Sequence, residues 1–242
     1  MLINRAQLPA DKMQILVILA NSGKQKAALK EAKQFEKFYP RDSALKNFIG
    51  VVYANIGNED LAEKNFKRAI KNNPSFIPAY TNLANCFFQK CEYLDAIKTL
   101  KQAIKINDEV PDVFFALGAN YQMNGEPRNA TESYRSALQL NPTHVEGWIN
   151  LGNILWENGK PNLASDAYIE ALNILPTNTV ATSYLIDSFH FVDSEKSGKT
   201  LYCRVNYAIK RLEASYDIHK FASTSILYEF LNQCDDILQT NE

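Results

Sequence analysis

The 242-residue sequence predicts an all-α fold, a stack of similar helix pairs, and three periodic features carry that prediction. Pro40, Pro74, Pro142 and Pro176 lie at multiples of 34 residues from one another, with Asp108 in the vacant place of the series. Taken as position 32, they set unit starts at 9, 43, 77, 111, 145 and 179. Seven of the nine glycines then fall at position 8 (Gly50, Gly118, Gly152) or position 15 (Gly23, Gly57, Gly125, Gly159). Alanine holds position 20 (Ala28, Ala62, Ala96, Ala130, Ala164) and position 27 (Ala69, Ala103, Ala137, Ala171).

Within a unit, positions 4, 7, 8 and 11 recur at helical spacing and mark a first helix. Position 7 reads Ile49, Leu83, Leu117, Leu151 and Leu185; position 11 reads Tyr53, Phe87, Tyr121, Leu155 and Phe189. The glycine at 15 supplies a turn. A second helix follows, with its stripe at 20, 24 and 27, where position 24 is Phe66, Leu100, Tyr134 and Tyr168. Small residues at 8 and 20 let the two helix backbones approach, and the large ones at 7, 11 and 24 fill the space around that contact. Pro127 and Pro161, at position 17, suit a first helical turn, where a missing N–H costs nothing. The proline at 32 ends the second helix. A single pair cannot cover both stripes, so each unit must stack on its neighbours.

Along the chain, residues 1–42 form an atypical N-terminal capping unit, with Leu16 at position 8 and Phe35 at position 27. Its apolar run Ile15–Ala20 is too short to span a bilayer and predicts a buried helix. Residues 43–178 form four regular units, residues 179–212 a divergent sixth, and residues 213–242 a linker and C-terminal helix. That helix, within residues 223–239, places Ile226, Phe230, Cys234, Ile237 and Leu238 on one side. Two uses suit it: covering the last open stripe, or docking on a partner or into the chain's own groove.

The run from Trp148 to Pro176, WINLGNILWENGKPNLASDAYIEALNILP, closely resembles the tetratricopeptide repeat. The resemblance covers residues 9–178 as five units, plus a sixth first helix near Val180–Phe191. It implies a right-handed α-solenoid whose concave face is lined by the first helix of each unit, used to bind proteins or peptides.

Catalytic and cofactor motifs are weak by comparison. Asp193–Thr200, DSEKSGKT, ends like a phosphate-binding loop, but Asp193 stands where the first glycine belongs and a helix precedes it where a strand is needed. It is instead an inter-helix turn lengthened by three residues, with Ala208 taking position 27 three residues late. Cys86, Cys91, Cys203 and Cys234 form no C-x-x-C pair, which suits reduced thiols in a cytoplasmic protein. His144, His190 and His219 lie far apart, and no hydrolase or dinucleotide motif occurs. The expectation is a non-enzyme without metal or cofactor. Net charge is −1, yet residues 1–76 carry 13 Lys/Arg against 7 Asp/Glu while residues 111–178 carry 3 against 7. A gradient of that kind is either a solvated face or a means of steering a charged partner.

On the first helices, positions 2, 5, 9 and 12 lie about 140° round from the core stripe and are not needed for stacking. They hold Asn85, Phe88, Phe115, Ile149, Asn153 and Trp156, with Met123 next door at 13 and amides Asn82 and Asn150 at position 6. Asparagine at 6 and 9 is also the commonest choice in the repeat family, so a structural role stands beside a binding one. The lysines with which some members grip a terminal carboxylate are absent: Ala44, Asn47, Pro78 and Thr81 occupy their places. Large apolar groups on a face free of stacking mark a binding patch. The nine residues named are therefore the candidate ligand-binding set. The expected ligand is a protein or extended peptide, with no nucleic acid, nucleotide or membrane involved. The function expected is a stand-alone adaptor or scaffold. The alternative is the recognition module of a split or multi-chain transferase of glycosyltransferase type, similar to the units ahead of such catalytic domains.

Overall fold

The computed structural model describes residues 7–189, and every regular element among them is an α-helix. Five helix–turn–helix pairs follow one another: α1 (Ala10–Asn21) with α2 (Gln25–Glu36), α3 (Ser43–Asn55) with α4 (Glu59–Asn72), α5 (Ile77–Gln89) with α6 (Tyr93–Ile106), α7 (Pro111–Met123) with α8 (Pro127–Leu140), and α9 (Val145–Glu157) with α10 (Pro161–Ile174). Helix α11 (Thr179–Phe189) is the first helix of the sixth unit. The rest of that unit, the Asp193–Thr200 turn and the C-terminal helix lie outside the described residues. The fold class is thus the expected all-α repeat architecture. Among the described residues, those up to Gly125 make one compact unit and those from Glu126 a second. In the first, each helix from α1 to α7 packs on the next; in the second, α8 packs on α9, α9 on α10 and α10 on α11.

Local chemistry sets the helix ends. Helices α4, α8 and α10 each stop two residues before the proline at position 32. Four starts are capped by side chains: Asn58 Oδ1 accepts from Leu61 N–H, His144 Nδ1 from Gly147 N–H at 2.8 Å, Asn178 Oδ1 from Ala181 N–H at 2.8 Å, and Asp42 Oδ1 from Leu45 N–H at 2.8 Å. Asp42 does more than cap. Its other oxygen accepts the Leu8 N–H, 34 residues upstream, so one buried carboxylate also ties the chain ahead of α1 to the second pair. Asp42→Ala should lower unfolding stability by about 1 kcal/mol through the lost cap alone. Leu8 should then exchange its amide hydrogen faster than in the parent protein, whereas unchanged exchange at Leu8 would show the tether to be idle.

The core is the predicted one. All five alanines at position 20 are fully buried, and Phe66, Leu100, Tyr134 and Tyr168 at position 24 are almost completely so. A Cβ on Gly50 would sit 2.5 Å from the Phe66 ring, and one on Gly152 only 2.3 Å from the Tyr168 ring. Glycine at position 8 therefore makes room for the ring across the pair.

Position 15 needs a left-handed backbone. Gly23, Gly57, Gly125 and Gly159 have φ between 67° and 78°, and Cys91, at the same position of the third unit, is held at φ 59° without being glycine. A left-handed conformation costs an L-residue about 1–2 kcal/mol, while glycine gives back about half of that in unfolded-chain entropy. Cys91 is exposed, so removing its side chain sacrifices no core packing. Cys91→Gly should accordingly raise stability by about 0.5–1 kcal/mol, read as a higher urea midpoint at unchanged slope. A lower midpoint would show that the thiol stabilises the turn.

Two further devices recur across the seams between pairs. Lys33, Lys67 and Lys101, all at position 25, place their ammonium groups over Tyr53, Phe87 and Tyr121, at position 11 of the following pair. At position 4, Tyr80 donates its hydroxyl to the Pro74 carbonyl and Trp148 its indole N–H to the Pro142 carbonyl, at 2.9 and 2.8 Å. In the second pair position 4 is Lys46, which is buried and paired with Glu36.

One element departs from expectation. The run Ile15–Ala20 forms part of α1, but only Leu16 is buried; Ile15, Val17 and Ile18 are 50%, 40% and 59% exposed. Helix α1 has α2 on one side, and an apolar run all round a helix does not decide whether a neighbour covers its other side.

Candidate functional site

In the first compact unit, α3, α5 and α7 pack side by side and carry the residues at positions 5, 6, 9 and 12. Spacing of three brings Asn82, Asn85 and Phe88 onto neighbouring strips of α5. Asn85 is exposed and has no hydrogen-bond partner among the described residues. Asn82 is half-buried and donates from Nδ2 to Asn47 Oδ1 at 2.9 Å, which joins α5 to α3 and leaves the Asn82 carbonyl oxygen unused by protein. Phe88 is also half-buried, with its ring edge-on to Tyr93 at 5.6 Å between centroids, so α6 holds the ring in place. On α7, Phe115 is half-buried and Met123 is 53% exposed.

In the second compact unit, α9 carries the corresponding strip. Asn150 is half-buried without a hydrogen-bond partner among the described residues, and Trp156, at the last turn, is half-buried. Two members of the candidate set are placed otherwise than their positions suggested. Ile149 is only 7% exposed, so it belongs to the packed side of α9 rather than to an open face. Asn153 Oδ1 accepts the Tyr168 hydroxyl at 2.8 Å, a bond between the two helices of the pair that satisfies a phenol on a buried ring. Its amide nitrogen remains available. Trp148, at position 4 of the core stripe, is likewise half-buried with its indole N–H on the Pro142 carbonyl, whereas Tyr80 at the same position of the third unit makes the corresponding bond and is buried.

Ion pairs gather on α4 and at the end of α5, while the face itself, at positions 2, 5, 9 and 12 of α3, α5, α7 and α9, carries only Asp112 and Glu146 as charges, at position 2 of α7 and α9. Lys90 bonds both Asp60 Oδ1 and Glu63 Oε2, at 2.9 and 2.7 Å, and Lys67 bonds the other Glu63 oxygen. Lys67 first, then Lys90, holds the Glu63 carboxyl below its ordinary range, and the two carboxylates hold the Lys90 ammonium above its own. Burial, reinforced by Glu59, pushes the Cys86 thiol up to about 12, so it is no nucleophile at neutral pH. Among the described residues no group of three His, Cys, Asp or Glu side chains gathers to hold a metal, and no helix is long and apolar enough to cross a membrane. What the face offers is amides and half-buried rings: hydrogen bonds for a peptide backbone and apolar seats for its side chains.

Sequence reasoning did not find the Asn82–Asn47 bond or the lysine–aromatic seams. The seams were visible as a fixed offset of 20 residues between positions 25 and 11 of successive units, whereas the Asn82–Asn47 pair occurs once and leaves no periodic signal.

Family models described as tetratricopeptide repeat match residues 44–76, 77–109 and 115–178. No curated protein matches the sequence. Similar solved structures include pilF of Pseudomonas aeruginosa, with 16% identity, a TM-score of 0.69, and 85% of this chain and 92% of that one covered. TTC0263, a thermophilic TPR protein of Thermus thermophilus, has 20% identity, a TM-score of 0.61, and 75% and 98% covered. YrrB, described as a TPR protein with an unusual peptide-binding site, has 17% identity, a TM-score of 0.59, and 74% and 91% covered. At such identities the likeness concerns the fold.

Proposed function

This chain belongs to the tetratricopeptide repeat family, and from that premise we propose that it is a non-catalytic adaptor binding a protein or extended peptide on the uncovered face of its first helices. The observation that carries the reading is Asn85. It is a polar side chain with both donor and acceptor unused, exposed on α5 between the Asn82 amide and the fixed Phe88 ring. An extended backbone presents alternating N–H and C=O groups, and a carboxamide can bond one of each. Phe88 on α5, Phe115 and Met123 on α7, and Trp156 with Asn150 on α9 supply further seats of the same two kinds. The peptide-binding site described for YrrB, a protein of the same fold, supports the reading by analogy.

Photo-crosslinking tests it. Benzoylphenylalanine placed at Asn85 in the first compact unit, or at Asn150 in the second, should capture a cellular polypeptide in cells of the source organism. The same group at Lys64 on α4, a second helix, should capture none of it. Equal capture from Lys64, or none from Asn85, would place the binding surface elsewhere.

A further inference from the structure

The seam device described above changes character at one place. Lysine at position 25 stacks over an aromatic ring at position 11 in three seams, at 5.2–5.6 Å. The next residue at position 25 is Arg135, and the position 11 that follows it is Leu155. Arg135 is exposed and makes no hydrogen bond, ion pair or ring contact among the described residues. Next to it a groove of about 410 Å³ opens between α8, α9 and α10. Leu138, Trp148, Leu155 and Leu163 wall it, while Asp166 and Glu170 stand on the α10 side. Leu163 is 44% exposed and Trp148 half-buried, so apolar surface is open to water between helices that pack on one another.

We propose that this groove is a second docking site, one that takes an aromatic side chain of a partner polypeptide flanked by Lys or Arg. The ring takes the place that Tyr53, Phe87 and Tyr121 fill in the other seams, against the Arg135 guanidinium, whose planar cation suits an aromatic face better than an ammonium. The leucines remove the ring's edge from water. The flanking cation faces Glu170 on α10, with Asp166 one turn before it in the lining. Trp148 and Leu155 occupy positions 4 and 11 of α9, about 140–160° round the helix from Asn150 and about 80–100° from Trp156, so the groove opens on a different side of α9 from the amide strip.

The test uses the full-length ¹⁵N-labelled chain and follows the indole N–H of Trp148, told from that of Trp156 by the Trp156→Phe variant. Three capped peptides serve as probes: Arg-Tyr-Arg, Glu-Tyr-Glu and Arg-Ala-Arg. Arg-Tyr-Arg should shift the Trp148 resonance saturably, with the other two at least fivefold weaker. Leu155→Tyr, which puts a ring beneath Arg135 and fills the groove, should abolish the shift while the melting temperature holds. Arg135→Ala, at an exposed position, should weaken it at least threefold, and Asn150→Ala should leave it unchanged. A Trp148 resonance indifferent to Arg-Tyr-Arg, equally responsive to Glu-Tyr-Glu, or unaffected by Arg135→Ala would overturn the proposal.

Discussion

Gly152→Leu should be the most damaging single substitution in the second compact unit. The first added carbon alone lies 2.3 Å from Cε1 of Tyr168, well inside contact distance. The ring cannot swing away cheaply. It is 2% exposed, its hydroxyl is bonded to Asn153, and its other side meets Tyr184 at 5.6 Å between centroids. The remaining three carbons of leucine deepen the overlap, so α9 and α10 must separate. Overpacking a close contact costs about 1–3 kcal/mol, and more where the neighbour is pinned. Repeat units couple mainly to their neighbours, so the loss should be local. Amide exchange should therefore accelerate in α9, α10 and α11 while α3 to α6 keep their protection. Gly152→Ala should give a smaller change of the same pattern. Uniform acceleration along the chain, or none, would contradict this account of position 8.

That contact shows what was legible in the sequence. A residue type recurring at one phase of a 34-residue period can be assigned its neighbour without coordinates, because each unit repeats the same packing problem. Gly50 against Phe66 and Gly152 against Tyr168 follow from positions 8 and 24 alone, as do the fully buried alanines at 20. The left-handed turn at 15 was equally legible where glycine marks it. At Cys91 the repeat supplies the conformation and the residue does not, so the strain became visible only in the backbone angles.

The candidate site was less legible, for a different reason. Periodicity says which side of a helix a residue is on, but not how far its side chain reaches or what meets it there. Ile149 and Asn153 were assigned to an open strip by position, yet one is covered and the other already bonds Tyr168. Trp148 belongs to the core stripe by position, but it is half-covered, with its indole N–H on the Pro142 carbonyl. The exposure of Ile15 and Ile18 likewise depends on which side of α1 another described helix covers, and no local pattern encodes that.

Trp156→Ala should separate binding from folding. Position 12 lies off the stripe that joins the units, and the side chain is half-buried where Tyr168 and Leu155 on the packed sides are closed to water. Truncating it should therefore shift the melting temperature by no more than a few degrees. Its rigid, amphipathic ring is the type that dominates interfaces, and removing such an anchor typically costs about 2 kcal/mol or more. Affinity for the polypeptide captured through Asn150, on the same helix, should fall at least tenfold, a change of about 1.4 kcal/mol. Phe88→Ala should act in the same direction, tempered by its contact with Tyr93. Trp148→Ala provides the opposite signature: it removes a hydrogen bond to the end of the preceding unit and should lower stability first. If Trp156→Ala instead lowers the melting temperature as far as Trp148→Ala does, with affinity intact, then position 12 belongs to the packing of the chain. The binding face would then have to be sought around Asn85 alone.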